Sequence, residues 1–103
     1  MNNFIEQNRD LHKRSDDIAD KLQTLANGNR LRILCHLAAG PLSVGEIEEC
    51  VQMSQSAVSQ HLAKLKRAQI VTNKKDAQTS YYYIEDERTL NLMVQMYEAF
   101  CEE

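Results

Sequence analysis

The chain has 103 residues, with 12 Lys and Arg against 15 Asp and Glu and a formal net charge of −3. That length makes one domain too small for a large catalytic cleft, and 43% apolar with 26% charged residues marks a globular chain rather than a disordered one. No apolar run approaches the ~20 residues of a membrane helix, the start MNNFIEQNRDLHKR has no basic-then-apolar leader pattern, and three scattered cysteines do not make a secreted disulfide framework, so a cytoplasmic protein without membrane contact is expected.

Residues 1–14 are polar and weakly patterned, a flexible lead-in or helix start ahead of a single domain over 15–103. From Ser15, the spacing of Ile18, Leu22 and Leu25 predicts a helix that Asn27-Gly28-Asn29 stops. A second helix follows from about Arg30 to Ala39. Leu31, Leu34, Cys35 and Ala38 form its apolar stripe, Ile33 and Leu37 widen it, and Gly40-Pro41 ends it. Ser43 and Glu46 make a capping box that opens a short helix carrying Ile47, Cys50 and Val51, in which Cys50 is expected to be a core or incidental residue. Ser54 caps the next helix, Gln55 to about Arg67, with Val58, Leu62 and Leu65 inward.

The period then changes. Residues 70–73 and 79–84 are rich in β-branched and aromatic side chains and predict a hairpin around Lys75-Asp76-Ala77-Gln78, with Tyr82 facing away from Tyr81 and Tyr83. Asp86 caps a last helix with Leu90, Met93, Tyr97, Phe100 and Cys101 on one stripe and Leu92 and Met96 beside it. This order predicts a mainly α winged helix-turn-helix with a two-stranded β wing. The first and last helices carry more apolar surface than such a core needs, which makes them the expected dimer interface.

Charge is concentrated. Residues 54–84 carry Lys64, Lys66, Arg67, Lys74 and Lys75 against Asp76 alone, while the flanking segments are acidic. A basic segment over a helix-turn-helix and its wing points to double-stranded DNA. Ser54, Gln55, Ser56, Ser59 and Gln60 occupy the helix end that enters a major groove, where Gln pairs with adenine edges and Ser donates or accepts at several base edges. Lys64, Lys66 and Arg67 suit phosphates, which position a protein without reading sequence. His61, Lys74, Lys75 and Gln78 complete the candidate DNA-binding set.

The run LANGNRLRILCHLAAGPLSVGEIEECVQMSQSAVSQHLAKLKRAQIVTNKKDAQTSYYYI resembles the ArsR family of bacterial winged-helix repressors, and the match covers nearly everything beyond residue 15. The resemblance implies a homodimer paired through its first and last helices, bound to a partly palindromic operator and released by an inducer. Metal-sensing members place Cys-x-Cys before the recognition helix or Asp and His ligands on the last helix. Here those segments read SVGEIEEC and DERTLNLMVQMYEAFCEE, and His12, His36 and His61 are scattered, so neither a metal nor another cofactor is expected.

Cys35 in RILCHL and Cys101 near the C-terminus resemble instead the two-cysteine pattern of the persulfide-responsive branch, the SqrR and BigR type, and of HlyU-like regulators. That pattern implies a thiol pair linked by reactive sulfur species or oxidants, with the reduced protein bound to DNA and repressing. Two alternatives stay open: an HlyU-like regulator that competes with another DNA-bound protein without a thiol inducer, and a metal-responsive repressor. A thiol oxidoreductase is disfavoured by the lack of Cys-x-x-Cys and of any strand-helix-strand pattern, and no enzymatic activity is expected.

Overall fold

The structure is a computed structural model and describes residues 2–102; Met1 and Glu103, the outer ends of the two expected segments, lie outside it. Six helices and three short strands follow one another as α1 (Asn2–Lys13), α2 (Ser15–Leu25), α3 (Gly28–Leu37), β1 (Leu42–Ser43), α4 (Val44–Val51), α5 (Gln55–Arg67), β2 (Val71–Asp76), β3 (Thr79–Ile84) and α6 (Glu87–Phe100). None of the helices is long and apolar enough to cross a membrane, among the described residues.

Helix α1 runs almost directly into α2. The break falls at Arg14 (φ −105°, ψ 16°), bridged by the Ser15 hydroxyl donating to the Leu11 carbonyl at 2.8 Å. Asn27 plays a different part from the one expected of it. Its extended backbone and side-chain oxygen, which accepts the Arg30 N–H at 3.0 Å, make it the N-cap of α3, so that helix begins two residues earlier than its apolar pattern suggests. The capping box of α4 is present in both directions: the Ser43 hydroxyl accepts from Glu46 N–H at 3.2 Å, and the Glu46 carboxylate accepts from Ser43 N–H at 2.9 Å.

The core gathers Leu25 from α2, Ile33, Leu34 and Leu37 from α3, Ile47 from α4, Val58, Leu62 and Leu65 from α5, and Ile70 and Val71 at the start of β2. Full burial of each such side chain contributes about 1.5–3 kcal/mol. The inward face of α3 is therefore Arg30, Ile33, Leu34 and Leu37, not the expected stripe. Cys35 and Ala38 are exposed, because at 3.6 residues per turn they lie roughly 150° and 90° from the centre of that face. Cys50 is exposed too, which removes the core alternative for it: Ile47 alone of α4 is buried, with Val44 and Val51 packed beside it, and Cys50 lies off that face.

The sheet has the order β1-β3-β2, all antiparallel. Strand β1 adds a third, two-residue strand, Leu42 facing Tyr82 and Ser43 facing Tyr81, to the expected hairpin. Cross-strand partners share a face, so Leu42, Val71, Asn73, Tyr82 and Ile84 lie on one side, where Leu42, Tyr82 and Ile84 pack on the core. Tyr81 and Tyr83 lie on the other side, as the alternation predicts.

Helices α1 and α6 stand apart. No described side chain of either is buried; α6 rests chiefly on β3, and its Met93 packs against the core. Exposed instead are Phe4, Ile5 and Leu11 on α1, Leu22 on α2, and Leu92, Val94, Tyr97 and Phe100 on α6. The radius of gyration, 15.5 Å, exceeds the ~13 Å of a compact domain this size, and the longest extent is 51 Å.

Candidate nucleic-acid interface

Helices α4 and α5 form the helix-turn-helix. The turn is made by Gln52, which leaves α4 in the left-handed region (φ 55°, ψ 49°), and Met53, which packs against the core. Ser54 then caps α5, its hydroxyl oxygen accepting from Ala57 N–H at 3.2 Å and lying 3.4 Å from the Ser56 hydroxyl. Its oxygen is thus already engaged in holding the helix end. With Val58, Leu62 and Leu65 anchored inward, Gln55, Ser56, Ser59, Gln60 and Lys64 are exposed, as are Lys66 and Arg67 further on. The exposed end of the helix presents amide and hydroxyl groups together with the partial positive charge of its unpaired N–H groups.

The wing is longer than its sequence pattern suggests. Strand β2 continues through Lys74, Lys75 and Asp76, and only Ala77 and Gln78 form the turn, Asp76 pairing with Thr79. Lys74 lies on the Tyr81 side of the sheet and Lys75 on the Ser80 side, so the two exposed lysines diverge from neighbouring positions. The Asn73 side-chain amide donates to the Ser80 hydroxyl at 2.7 Å beneath them, tying the two strands together, and its own buried oxygen has no partner. Exposed basic groups are therefore present both on α5 and on the wing.

His61 is set apart from the rest of the predicted set. It is half-buried, and its Nδ1 lies 3.4 Å from Nη1 of Arg30. Burial, and then the charges of Arg30 and Lys64, lower its pKa from the ordinary 6.5. Arg30 is the one buried charged side chain among the described residues, and its Nε donates to the Thr24 carbonyl at the end of α2. Sequence reasoning missed this residue. The signal was there: Arg30 precedes Ile33, Leu34 and Leu37 at helical spacing, and a charged residue at the head of an inward stripe belongs to it.

The three cysteines are free and exposed: Cys35 on α3, Cys50 on α4 and Cys101 at the C-cap of α6. The main contact of α6 is made with β3 rather than with α3, the helix that carries Cys35. No group of three or more His, Cys, Asp or Glu side chains comes together in metal-binding geometry, among the described residues.

Residues 27–73, which span α3 through the start of β2, match the family described as "Bacterial regulatory protein, arsR family". The transcriptional activator HlyU of Vibrio cholerae is 36% identical over 94 residues, covering 91% of this chain and 87% of that protein. Its reduced form superposes with a TM-score of 0.80 over 90% of this chain and 98% of that one. The transcriptional repressor BigR from Xylella fastidiosa superposes with a TM-score of 0.84 at 30% identity, over 93% and 98% of the two chains. A homodimeric winged helix-turn-helix DNA-binding domain from Mycobacterium bovis, a possible ArsR-family regulator, gives a TM-score of 0.75 at 31% identity over 85% and 83%. With the helix-turn-helix, the wing and this likeness along nearly its whole length, the chain belongs to the ArsR family of bacterial regulatory proteins and is a transcriptional regulator rather than an enzyme.

Proposed function

We propose that the protein is a homodimer that binds a partly palindromic DNA operator through α5 and the wing, and that reactive sulfur species or oxidants release it by linking Cys35 to Cys101. The observation that supports DNA reading most strongly is the polar, exposed face of α5, in a fold whose wing carries two further exposed lysines. Gln55, Ser56, Ser59 and Gln60 contact base edges; Lys64, Lys74, Lys75 and Gln78 contact the backbone. Gln60→Ala should weaken specific binding by ~1–3 kcal/mol and leave binding to random duplex nearly unchanged. Each Lys→Ala change should lower the log–log salt slope by about one unit. Pairing of copies through α1, α2 and α6 is supported by their exposed apolar side chains and by the homodimeric neighbour.

The thiol switch draws support from the exposure of Cys35 and Cys101 and from likeness to BigR and to HlyU, for which a reduced form is distinguished. Chemically, the thiolate of one cysteine takes sulfur from a low-molecular persulfide and releases the parent thiol. The second thiolate then attacks the Sγ of that persulfidated cysteine, breaking its bond to the transferred sulfur, which leaves as hydrosulfide, and a Cys–Cys disulfide remains. A direct bond needs Cα atoms ~4.4–6.8 Å apart, and retained sulfur atoms span a wider gap. A coupling of 1–3 kcal/mol between the link and DNA binding gives a 5–150-fold loss of affinity.

The test combines mass spectrometry with binding to a duplex selected from random sequence by the wild-type protein. Persulfide should produce a Cys35–Cys101 link and release DNA, and reductant should restore binding. Cys35→Ser and Cys101→Ser should bind but ignore persulfide, and Cys50→Ser should respond like wild type. A fully responsive Cys35→Ser or Cys101→Ser protein, or a main product through Cys50, rejects the switch and leaves DNA binding intact. Likeness to a protein named an activator favours one second reading, a regulator that competes with another DNA-bound protein without a thiol inducer. Unchanged affinity after persulfide would select it.

A further inference from the structure

Arg30 is nine-tenths buried, yet neither of its two side-chain partners is a carboxylate: one is the Thr24 carbonyl, the other Nδ1 of His61. Withdrawing a guanidinium from water is costly unless its donors are used. Here the donors join three elements, with the C-terminal end of α2 on one side, α3 in the middle and the recognition helix α5 on the other.

The chemistry of the contact sets the state of the histidine. Guanidinium nitrogens donate only, so Nδ1 of His61 accepts, and a neutral imidazole that accepts at Nδ1 carries its proton on Nε2. The charged groups bearing on the ring, Arg30 from α3 and Lys64 from α5, are both cations and oppose a second ring proton. A protonated ring would also lose the acceptor that Arg30 uses.

We propose that Arg30 is a positioning residue for DNA binding: it seats α5 against the α2–α3 corner and holds His61 as an Nε2–H donor on the recognition helix. The proposal rests on the reading of α5 as the DNA-contacting helix and adds a residue outside that helix to the machinery. His61 then offers DNA one fixed donor rather than an exchanging mixture, and the orientation of α5 is tied to the end of α2, whose Leu22 lies on the exposed apolar surface.

The test uses nitrogen NMR of the histidine ring in the full-length protein, with binding to the selected duplex and to random duplex. Near neutral pH, wild-type His61 should be the Nε2–H tautomer. In Arg30→Met it should become a tautomer mixture that titrates at higher pH, and affinity for the selected duplex should fall by about tenfold, with random-duplex binding nearly unchanged. His61→Gln supplies an oxygen to accept from Arg30 and an amide N–H to donate, so it should keep affinity within about threefold, whereas His61→Leu should lose about tenfold. The pair of His61 variants decides the matter should Arg30→Met fail to fold. An Nδ1–H tautomer in the wild type, or wild-type affinity in His61→Leu, overturns the proposal. If the DNA-contact reading of α5 is itself wrong, Lys64→Ala leaves the salt slope unchanged, an outcome separate from the tautomer measurement.

Discussion

Helices α2 to α5 with the foot of the wing bury ten hydrophobic side chains, while α1 and α6 bury none among the described residues and expose Phe4, Ile5, Leu11, Leu92, Val94, Tyr97 and Phe100. Helix α6 is at least as rich in apolar residues as the inner helices, so composition does not separate it from them. What separates them is whether the chain can fold back on its own stripe. Met93 reaches the core from α6, but Tyr97 and Phe100 lie one and two turns further along and are 59% and 84% exposed. The inner region is a self-sufficient reading head. The outer region leaves large apolar side chains exposed on α1 and α6, as a surface that meets a second copy would.

The largest effects should fall on the inner region. Leu34→Ala removes a fully buried side chain from α3 and should cost about 2–5 kcal/mol in urea unfolding, whereas Leu92→Ala on α6 should change protomer stability by less than about 0.5 kcal/mol. Equal losses would erase the distinction. Ser43→Ala deletes one half of the α4 capping box and should cost about 1 kcal/mol by the same measurement. Smaller still, and stabilising, is Ala77→Gly. Ala77 holds φ 58° at the wing tip, a region that glycine enters freely, and the change should contribute about 0.5–1 kcal/mol. Hydrogen exchange of β2 and β3 amides reads that gain locally.

The subtlest effect is the pH dependence of His61. Its folded pKa lies below the unfolded 6.5, so the unfolded chain binds more protons across the window just under that value. Folding stability should therefore drop as pH falls through that window and be fully recovered above it. His61→Gln should flatten this part of the profile.

Much of the inner region was legible because its signals are local. The Ser43–Glu46 box, the Ser54 cap and the inward triad Val58, Leu62 and Leu65 are each set within one or two turns. The facing of α3 was not. Leu31, Ile33, Leu34, Cys35, Leu37 and Ala38 fit two overlapping stripes, and the choice between them is made by partners far away in sequence, including His61 for Arg30. That choice turned Cys35 outward. Strand β1 escaped notice for a similar reason, since two residues carry no period and acquire their form only by pairing with Tyr81 and Tyr82. In the candidate interface, the residue types were readable along α5. The divergence of Lys74 and Lys75 required the register of the hairpin, and the role of Arg30 required the tertiary contact.

The division between reading head and pairing surface is tested most directly by sedimentation equilibrium of Tyr97→Glu/Phe100→Glu, with duplex binding followed on the same samples. The expected result is a folded protomer that no longer pairs at concentrations where the wild type is dimeric and that binds the selected duplex at least tenfold more weakly, because two half-sites are no longer held together. A variant that remains dimeric and binds the duplex like the wild type would contradict it.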